Sequence, residues 1–402
     1  MIIIDKKKTH HILLFSAISL LLLDRPIQYV FYGFIGVELP TNRLLPMLAV
    51  MLLFTYPTRF KLKIFDSWVL ATTVVSLALG TIFLAEYRFS DVISCVGVIV
   101  SFFLGLQLTR IEFSQKLSKV FLFISIVAPT ISLIALLGLS SNLQLIEQLH
   151  QVNGVIVPRP EIFTDQNFHF IYVFMSIALI YLYRGLNLKK LLVCILIIIN
   201  LWSLSEVQTR TGVIFFMFTL LFSIFYNRGA GHKSKNKLLY FFIAAMILIA
   251  LAAAIIVFSE NLSIVSRFEN SDSDTGLHRI HSFLFWLTHL FDFKYWIPFG
   301  NREFDALYGG IPHSNVSAFY VLGGIMALFG YFVLFVRPAF LLLIEFMSKR
   351  CRFTMFEKFL CINVFGMFLV QQTLNVPLTE HTWFWAGVGL GLLYNRKKVI
   401  QK

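Results

Sequence analysis

The stretch IPHSNVSAFYVLGG, residues 311–324, ends a long polar interruption and begins a long apolar run. The interruption starts near Glu260 and contains Arg279, Arg302 and His313, while the chain on either side is largely hydrophobic. A chain whose residues are mostly apolar has few polar segments in which a functional site can lie. We therefore expect residues 260–315 to form one loop that carries part of a functional site.

The composition fixes the class of protein. Hydrophobic residues make up 58% of the chain, charged residues 14%, and the mean hydropathy is +0.78, which is far from the average of a soluble domain. The hydrophobic runs extend from end to end, and no polar block is large enough to fold alone. The sequence predicts a single membrane domain over residues 1–402 with an all-α fold.

About 20 apolar residues are needed for one crossing of a membrane, and on that basis the sequence predicts about twelve transmembrane helices. The predicted spans are 10–23, 43–57, 66–85, 91–109, 118–139, 167–183, 188–204, 211–226, 238–258, 316–345, 354–373 and 381–395. The 260–315 loop then connects spans nine and ten. The tenth span is long enough to tilt or to extend beyond the bilayer.

The basic residues set the orientation, because Lys and Arg are enriched in cytoplasmic loops. With both termini in the cytoplasm, only nine of the 34 basic residues lie outside, and eight of these nine are arginine. Arg25, Arg43 and Arg88 lie at helix ends, where anchoring at the interface is the usual role. The other outer basic residues are Arg159, Arg210, Arg267, Arg279, Lys294 and Arg302. Because the basic clusters follow the topology, nucleic acid is not expected as a partner.

Three outer segments carry candidate site residues. In PRPEIFTDQN, residues 158–167, two prolines hold the chain extended around Arg159. In QTRTG, residues 208–212, Arg210 lies at the outer mouth of a span, where a guanidinium group and a helix N-terminus both favour a diphosphate. His313 follows the long loop, and imidazole is well suited to accept a hydroxyl proton near neutral pH. An interfacial anchor for Arg210 and a structural role for His313 are the alternatives.

The sequence does not predict a metal site or a disulfide framework. His278, His281 and His289 lie in the long loop, but without the spacing typical of zinc ligands. All four cysteines lie within or beside hydrophobic segments. The predicted spans contain almost no formal charge, which argues against ion-coupled transport.

The order of these motifs resembles the O-antigen ligase and polymerase superfamily. The resemblance covers about residues 154–330 and consists of PRPEIFTDQN, QTRTG, a long outer loop with TGLHR, and HSN before a glycine-rich span. It implies an integral-membrane glycosyltransferase that inverts the anomeric centre, uses undecaprenyl-diphosphate-linked glycans, and needs no metal ion or other cofactor. Arg210 and Arg279 match the arginines that hold the diphosphate, and His313 matches the histidine that activates the acceptor hydroxyl.

Further roles carried by the resemblance are less direct. Arg159, Arg302 and Asn315 are expected to contact the substrate, although Ser314 separates His313 from Asn315 where the ligase-like pattern has His-Asn. The sequence favours an O-antigen polymerase, with the ligase that transfers glycan to lipid A-core as the alternative and a glycan flippase as a third. The expected location is the bacterial inner membrane with a periplasmic active site, and the expected partners are the lipid-linked glycan, membrane lipid and a chain-length regulator.

Overall fold

The computed structural model describes residues 6–37, 62–84, 89–109, 114–152, 155–163, 169–182, 186, 188–206, 216–217, 219–220, 223, 273–308, 312–348, 353–372 and 378–400. This part of the chain is built almost entirely of helices, as predicted. The α-helices are α1 (Lys6–Leu22), α2 (Asp24–Ile35), α3 (Ile64–Leu84), α4 (Phe89–Leu108), α5 (Ser114–Leu136), α6 (His169–Leu182), α7 (Lys190–Glu206), α8 (Ser273–Thr288), α9 (Gly300–Tyr308), α10 (Asn315–Tyr331), α11 (Arg337–Met347), α12 (Met355–Gln371) and α13 (Glu380–Ile400). A 3₁₀ turn at Phe293–Trp296 precedes α9, and a π-helix at Phe332–Val336 joins α10 to α11.

Several helices have the length and composition of membrane spans. Within the described residues these are Ile64–Thr81, Lys116–Leu136 and Asn315–Met347, with a fourth if α1 and α2, which meet at a bend of 72°, are counted as one span. The apolar helices Ser94–Leu108, His169–Leu182 and Lys190–Leu204 are shorter. The predicted spans 43–57 and 238–258, and most of 211–226, lie outside the described residues. The count of twelve and the sidedness therefore stay predictions.

Two close helix pairs organise the bundle. Helices α3 and α10 run antiparallel, because Gly80 packs on the Leu322 carbonyl group while Thr73 packs on Gly330. Helices α4 and α13 run parallel, with Gly105 against the backbone of Phe384. Glycine at such contacts lets two backbones approach closely. Both directions are the ones that the predicted alternation of crossings requires.

Helix α10 is sharply bent, which differs from the single continuous span predicted at 316–345. Gly324 has φ +62° and ψ −158° in the middle of the helix. The rings of Phe319 and Tyr331, on opposite sides of Gly324, have centroids only 5.1 Å apart. In a straight helix their Cα atoms would be separated by about 18 Å. The segment Asn315–Gly323 therefore folds back towards the rest of the helix.

A β-hairpin precedes α6, where the sequence analysis predicted only a loop. Strands β1 (Ile146–Val152) and β2 (Val155–Glu161) pair antiparallel, with Gln148 opposite Arg159. The extended chain predicted around Arg159 is confirmed, because Arg159 lies within β2. The following Phe163 has a positive φ of 65° and is fully buried.

A polar contact centred on Asp66 joins three helices. Arg337 Nη2 lies 2.7 Å from Asp66 Oδ1, and the Tyr394 hydroxyl group donates a hydrogen bond to the second oxygen of Asp66. Only 3% of the Asp66 side chain is exposed, against 35% for Arg337. This contact joins the start of α3, the start of α11 and the end of α13.

Candidate active site

Residues 273–308 of the predicted loop fold around one buried ring. Phe285 of α8 is 1% exposed, and its ring centroid lies 4.4 Å from that of His289, 5.1 Å from that of Phe304 and 5.5 Å from that of Tyr295. Helix α8, the 3₁₀ turn and α9 therefore share one small aromatic core.

Helix α8 is joined to the start of α10 by hydrogen bonds at Ser282. The backbone N–H of His313 donates to Ser282 Oγ at 2.6 Å, and the Ser317 hydroxyl group donates to the Ser282 carbonyl oxygen. One helix turn further along α10, the Tyr320 hydroxyl group donates to the His289 carbonyl oxygen at 2.9 Å. These bonds fix the position of His313 relative to α8.

The residues around His313 form a helix start. Ser314 is the N-cap of α10, and its Oγ accepts a hydrogen bond from the Ser317 N–H at 3.4 Å. Asn315 is fully buried at the first helical position, whereas His313 is half-buried. Ser314, which separates His313 from Asn315 in the sequence, thus has a capping role. Asn315 is only two residues after His313, but its side chain is enclosed by protein.

A second contact holds the far end of the loop against the bend of α10. The N–H of Phe299 donates to the Val321 carbonyl oxygen at 3.2 Å. In an unbroken helix that carbonyl group would accept from Ile325, so the break at Gly324 leaves it available. A Cβ on Gly324 would overlap the Trp296 carbonyl oxygen and lie 2.9 Å from the Ile297 carbonyl carbon. The loop backbone therefore occupies the notch that glycine leaves open.

The predicted arginines are distributed over several elements. Arg279 belongs to α8, three residues before Ser282, so its backbone lies on the helix turn next to the His313 contact. Arg302 is exposed on α9. Arg159 lies in β2, and Arg210 lies outside the described residues. The structure thus brings His313 to Ser282, which lies one helix turn after Arg279 in α8.

Lys294 and Glu303 form an ion pair at the surface of the loop. Lys294 Nζ lies 2.5 Å from Glu303 Oε1, and this hydrogen bond raises the pKa of the lysine above its usual value. Within the described ranges, no three His, Cys, Asp or Glu side chains are close enough to hold a metal ion.

Three residues that position the site were not predicted as such. Ser282 and Tyr320 make the hydrogen bonds to His313 and to the loop, and Gly324 opens the notch that the loop occupies. The pair Gly323-Gly324 within an apolar run was the signal for the notch, since adjacent glycines in a helix favour a break. Ser282 and Tyr320 carry no comparable signal in one sequence.

Comparison with known proteins adds no further identification: no family model, no curated protein and no solved structure matches the chain. The resemblance to the O-antigen ligase and polymerase superfamily therefore depends on the motifs alone.

Proposed function

We propose that the protein is an integral-membrane glycosyltransferase that transfers a glycan from undecaprenyl diphosphate to an acceptor hydroxyl group. The observation that carries the proposal is the hydrogen bond between the His313 N–H and Ser282 Oγ. It places the candidate base beside the helix turn that contains Arg279. A base and a guanidinium group on adjacent elements are what a displacement of diphosphate requires.

The proposed reaction is an inverting displacement. The acceptor oxygen forms a bond to the anomeric carbon while the bond to the diphosphate oxygen breaks, and undecaprenyl diphosphate leaves. His313 accepts the hydroxyl proton. Arg279 and Arg210 stabilise the negative charge that develops on the leaving group, and Arg159 and Arg302 bind the remaining phosphate and sugar oxygens. Asn315, which is fully buried, acts through the position of His313.

The substrate class follows the superfamily resemblance. We favour an O-antigen polymerase of the bacterial inner membrane that extends lipid-linked repeat units on the periplasmic side, assisted by a chain-length regulator. The alternative acceptor is lipid A-core, which would make the protein a ligase. A null strain distinguishes them: lipopolysaccharide with a single repeat unit supports the polymerase, and core without O-antigen supports the ligase.

The test of catalysis is a transfer assay with purified protein in lipid nanodiscs and lipid-linked repeat units. His313→Ala should lower kcat by about 10²–10⁴-fold, and Arg279→Ala should lower it by about 10²–10³-fold. The matched control is His281→Ala, because His281 is an exposed histidine of α8, the helix that also contains Arg279. Full activity in both site variants would refute the assignment. Movement of lipid-linked glycan without bond formation would instead support a flippase.

A further inference from the structure

A second group of polar side chains lies where α1 bends into α2. We call Asp24, Arg25, Glu380 and His381 the charge cluster. Asp24 and Arg25 form an ion pair of 3.5 Å, with 21% and 32% of their side chains exposed. Glu380 and His381 begin α13, and α1 packs against that helix. In the predicted topology both elements lie on the extracytoplasmic side.

The helices hold Glu380 in a defined place. A Cβ on Gly97 of α4 would lie only 2.7 Å from Glu380 Oε1, so the carboxyl group lies directly against the α4 backbone. Helix α1, which leads into Asp24 and Arg25, packs against both α4 and α13. Within the described residues, no Lys, Arg or His nitrogen lies within ion-pair distance of Glu380. The half-buried carboxylate therefore has acceptor capacity to spare.

Further side chains of the kinds that bind sugars lie on the face of α2 that begins at Asp24. Gln28 Nε2 donates to Asp24 Oδ1 at 3.1 Å, and Arg25 Nη1 donates to Gln28 Oε1 at 3.4 Å. Tyr32 follows one turn later on the same face and is 54% exposed. Carboxylate, amide and guanidinium groups thus lie in line with an accessible aromatic ring.

The charge of the cluster determines what it can bind. Two carboxylates and one guanidinium group leave it net negative, which disfavours a diphosphate. A sugar is neutral, its hydroxyl groups donate to carboxylates and accept from guanidinium, and its apolar face packs on an aromatic ring.

The start of α13 is also close to the start of α10. The ring centroids of Phe319 and Trp383 are 6.1 Å apart, and each residue lies about one turn after the first residue of its helix. The charge cluster and His313 are therefore on neighbouring helix starts. We propose that the charge cluster and Tyr32 form a saccharide subsite that binds the hydroxyl groups of the acceptor glycan. The proposal rests on the glycosyltransferase function given above.

The test separates acceptor binding from donor binding. In the transfer assay, Glu380→Gln and Tyr32→Ala should each raise the acceptor KM about five- to tenfold, as expected for one lost hydrogen bond or ring contact. The donor KM should stay within twofold of the wild-type value. Phe34→Ala is the matched control, because Phe34 is a 58% exposed aromatic residue on another face of α2. Equal changes in donor and acceptor KM, or no change in either, would overturn the subsite.

A binding measurement keeps this test independent of catalysis. Maltose and N,N′-diacetylchitobiose should raise the thermal unfolding temperature of the wild-type protein in detergent, and the rise should be absent in Glu380→Gln and Tyr32→Ala. If the wild type transfers no glycan but shows this protection, the proposed reaction fails and the saccharide site stands. Absence of protection in the wild type, or equal protection in the variants, would refute the site even in an active enzyme.

Discussion

Substitution of Gly324 by alanine tests how residues 289–299 are held on α10. At φ +62° and ψ −158°, a residue other than glycine costs about 1–3 kcal/mol. The new Cβ would also overlap the Trp296 carbonyl oxygen, which belongs to the backbone and cannot rotate away. Moving the loop would break the hydrogen bond from Phe299 to Val321, worth about 1 kcal/mol. We expect a total cost of about 2–4 kcal/mol.

This cost should appear as local opening of the loop. A change of 2–4 kcal/mol corresponds to an increase of about 30- to 700-fold in the opening equilibrium, so amide hydrogen exchange of residues 289–299 should accelerate by that factor. Mass spectrometry of the peptides measures it. Helix α12 should exchange at the wild-type rate, because the nearest described atoms to a Cβ on Gly324 belong to Trp296 and Ile297 and not to α12.

Gly138 supplies the control for backbone strain alone. It has φ +61°, but a Cβ there would have no atom within 4 Å. Gly138→Ala should therefore lower stability by about 1 kcal/mol and leave exchange of the loop unchanged. Unchanged exchange at Phe299 in Gly324→Ala, or the same exchange pattern in both variants, would refute the account of the notch.

Three further results are expected. Asp66→Asn should lower the thermal unfolding temperature by an amount equivalent to about 1–3 kcal/mol, since it removes the carboxylate of a partly exposed ion pair with Arg337; an unchanged temperature would contradict this. Ser282→Ala should cost about 1 kcal/mol and lower transfer activity through the position of His313, whereas Ser282→Thr, which keeps the hydroxyl group, should retain activity. Finally, EDTA should leave the transfer rate unchanged, and a loss that added Mg²⁺ restores would disprove a metal-independent reaction.

Much of the helical structure could be predicted from apolar runs alone. The predicted spans 66–85, 91–109 and 118–139 agree within a few residues with α3, α4 and α5. The agreement has a physical reason, because a chain in lipid must satisfy its backbone hydrogen bonds internally and a helix does so along any apolar run.

The breaks in those runs could not be predicted in the same way. The bend within α10 lies in an apolar run and changes hydropathy very little, yet it determines which side chains meet. The hairpin before α6 did have a signal, since Asn153-Gly154, the dipeptide most typical of two-residue hairpin loops, separates Val152 from Val155. The two prolines of the segment indicate an extended chain but not that it pairs with a second strand.

The candidate site was predictable as a set of residue types but not as a geometry. His313 and Arg279 were chosen for their chemistry, and the contact between their elements depends on Ser282, which is an ordinary serine in the sequence. The charge cluster was missed because Glu380 and Arg25 are separated by nearly the whole chain. Only the fold shows that α1, which leads into Arg25, packs against α13, which begins at Glu380.

The parallel contact between α4 and α13 has a consequence for biogenesis. Gly105 of α4 packs against the backbone of α13, a helix that the ribosome makes long after α4. Until α13 is made, this face of α4 lacks that partner, and lipid or the insertion machinery would cover it instead. Nascent chains that stop before residue 380 would lack the helix that packs against Gly105.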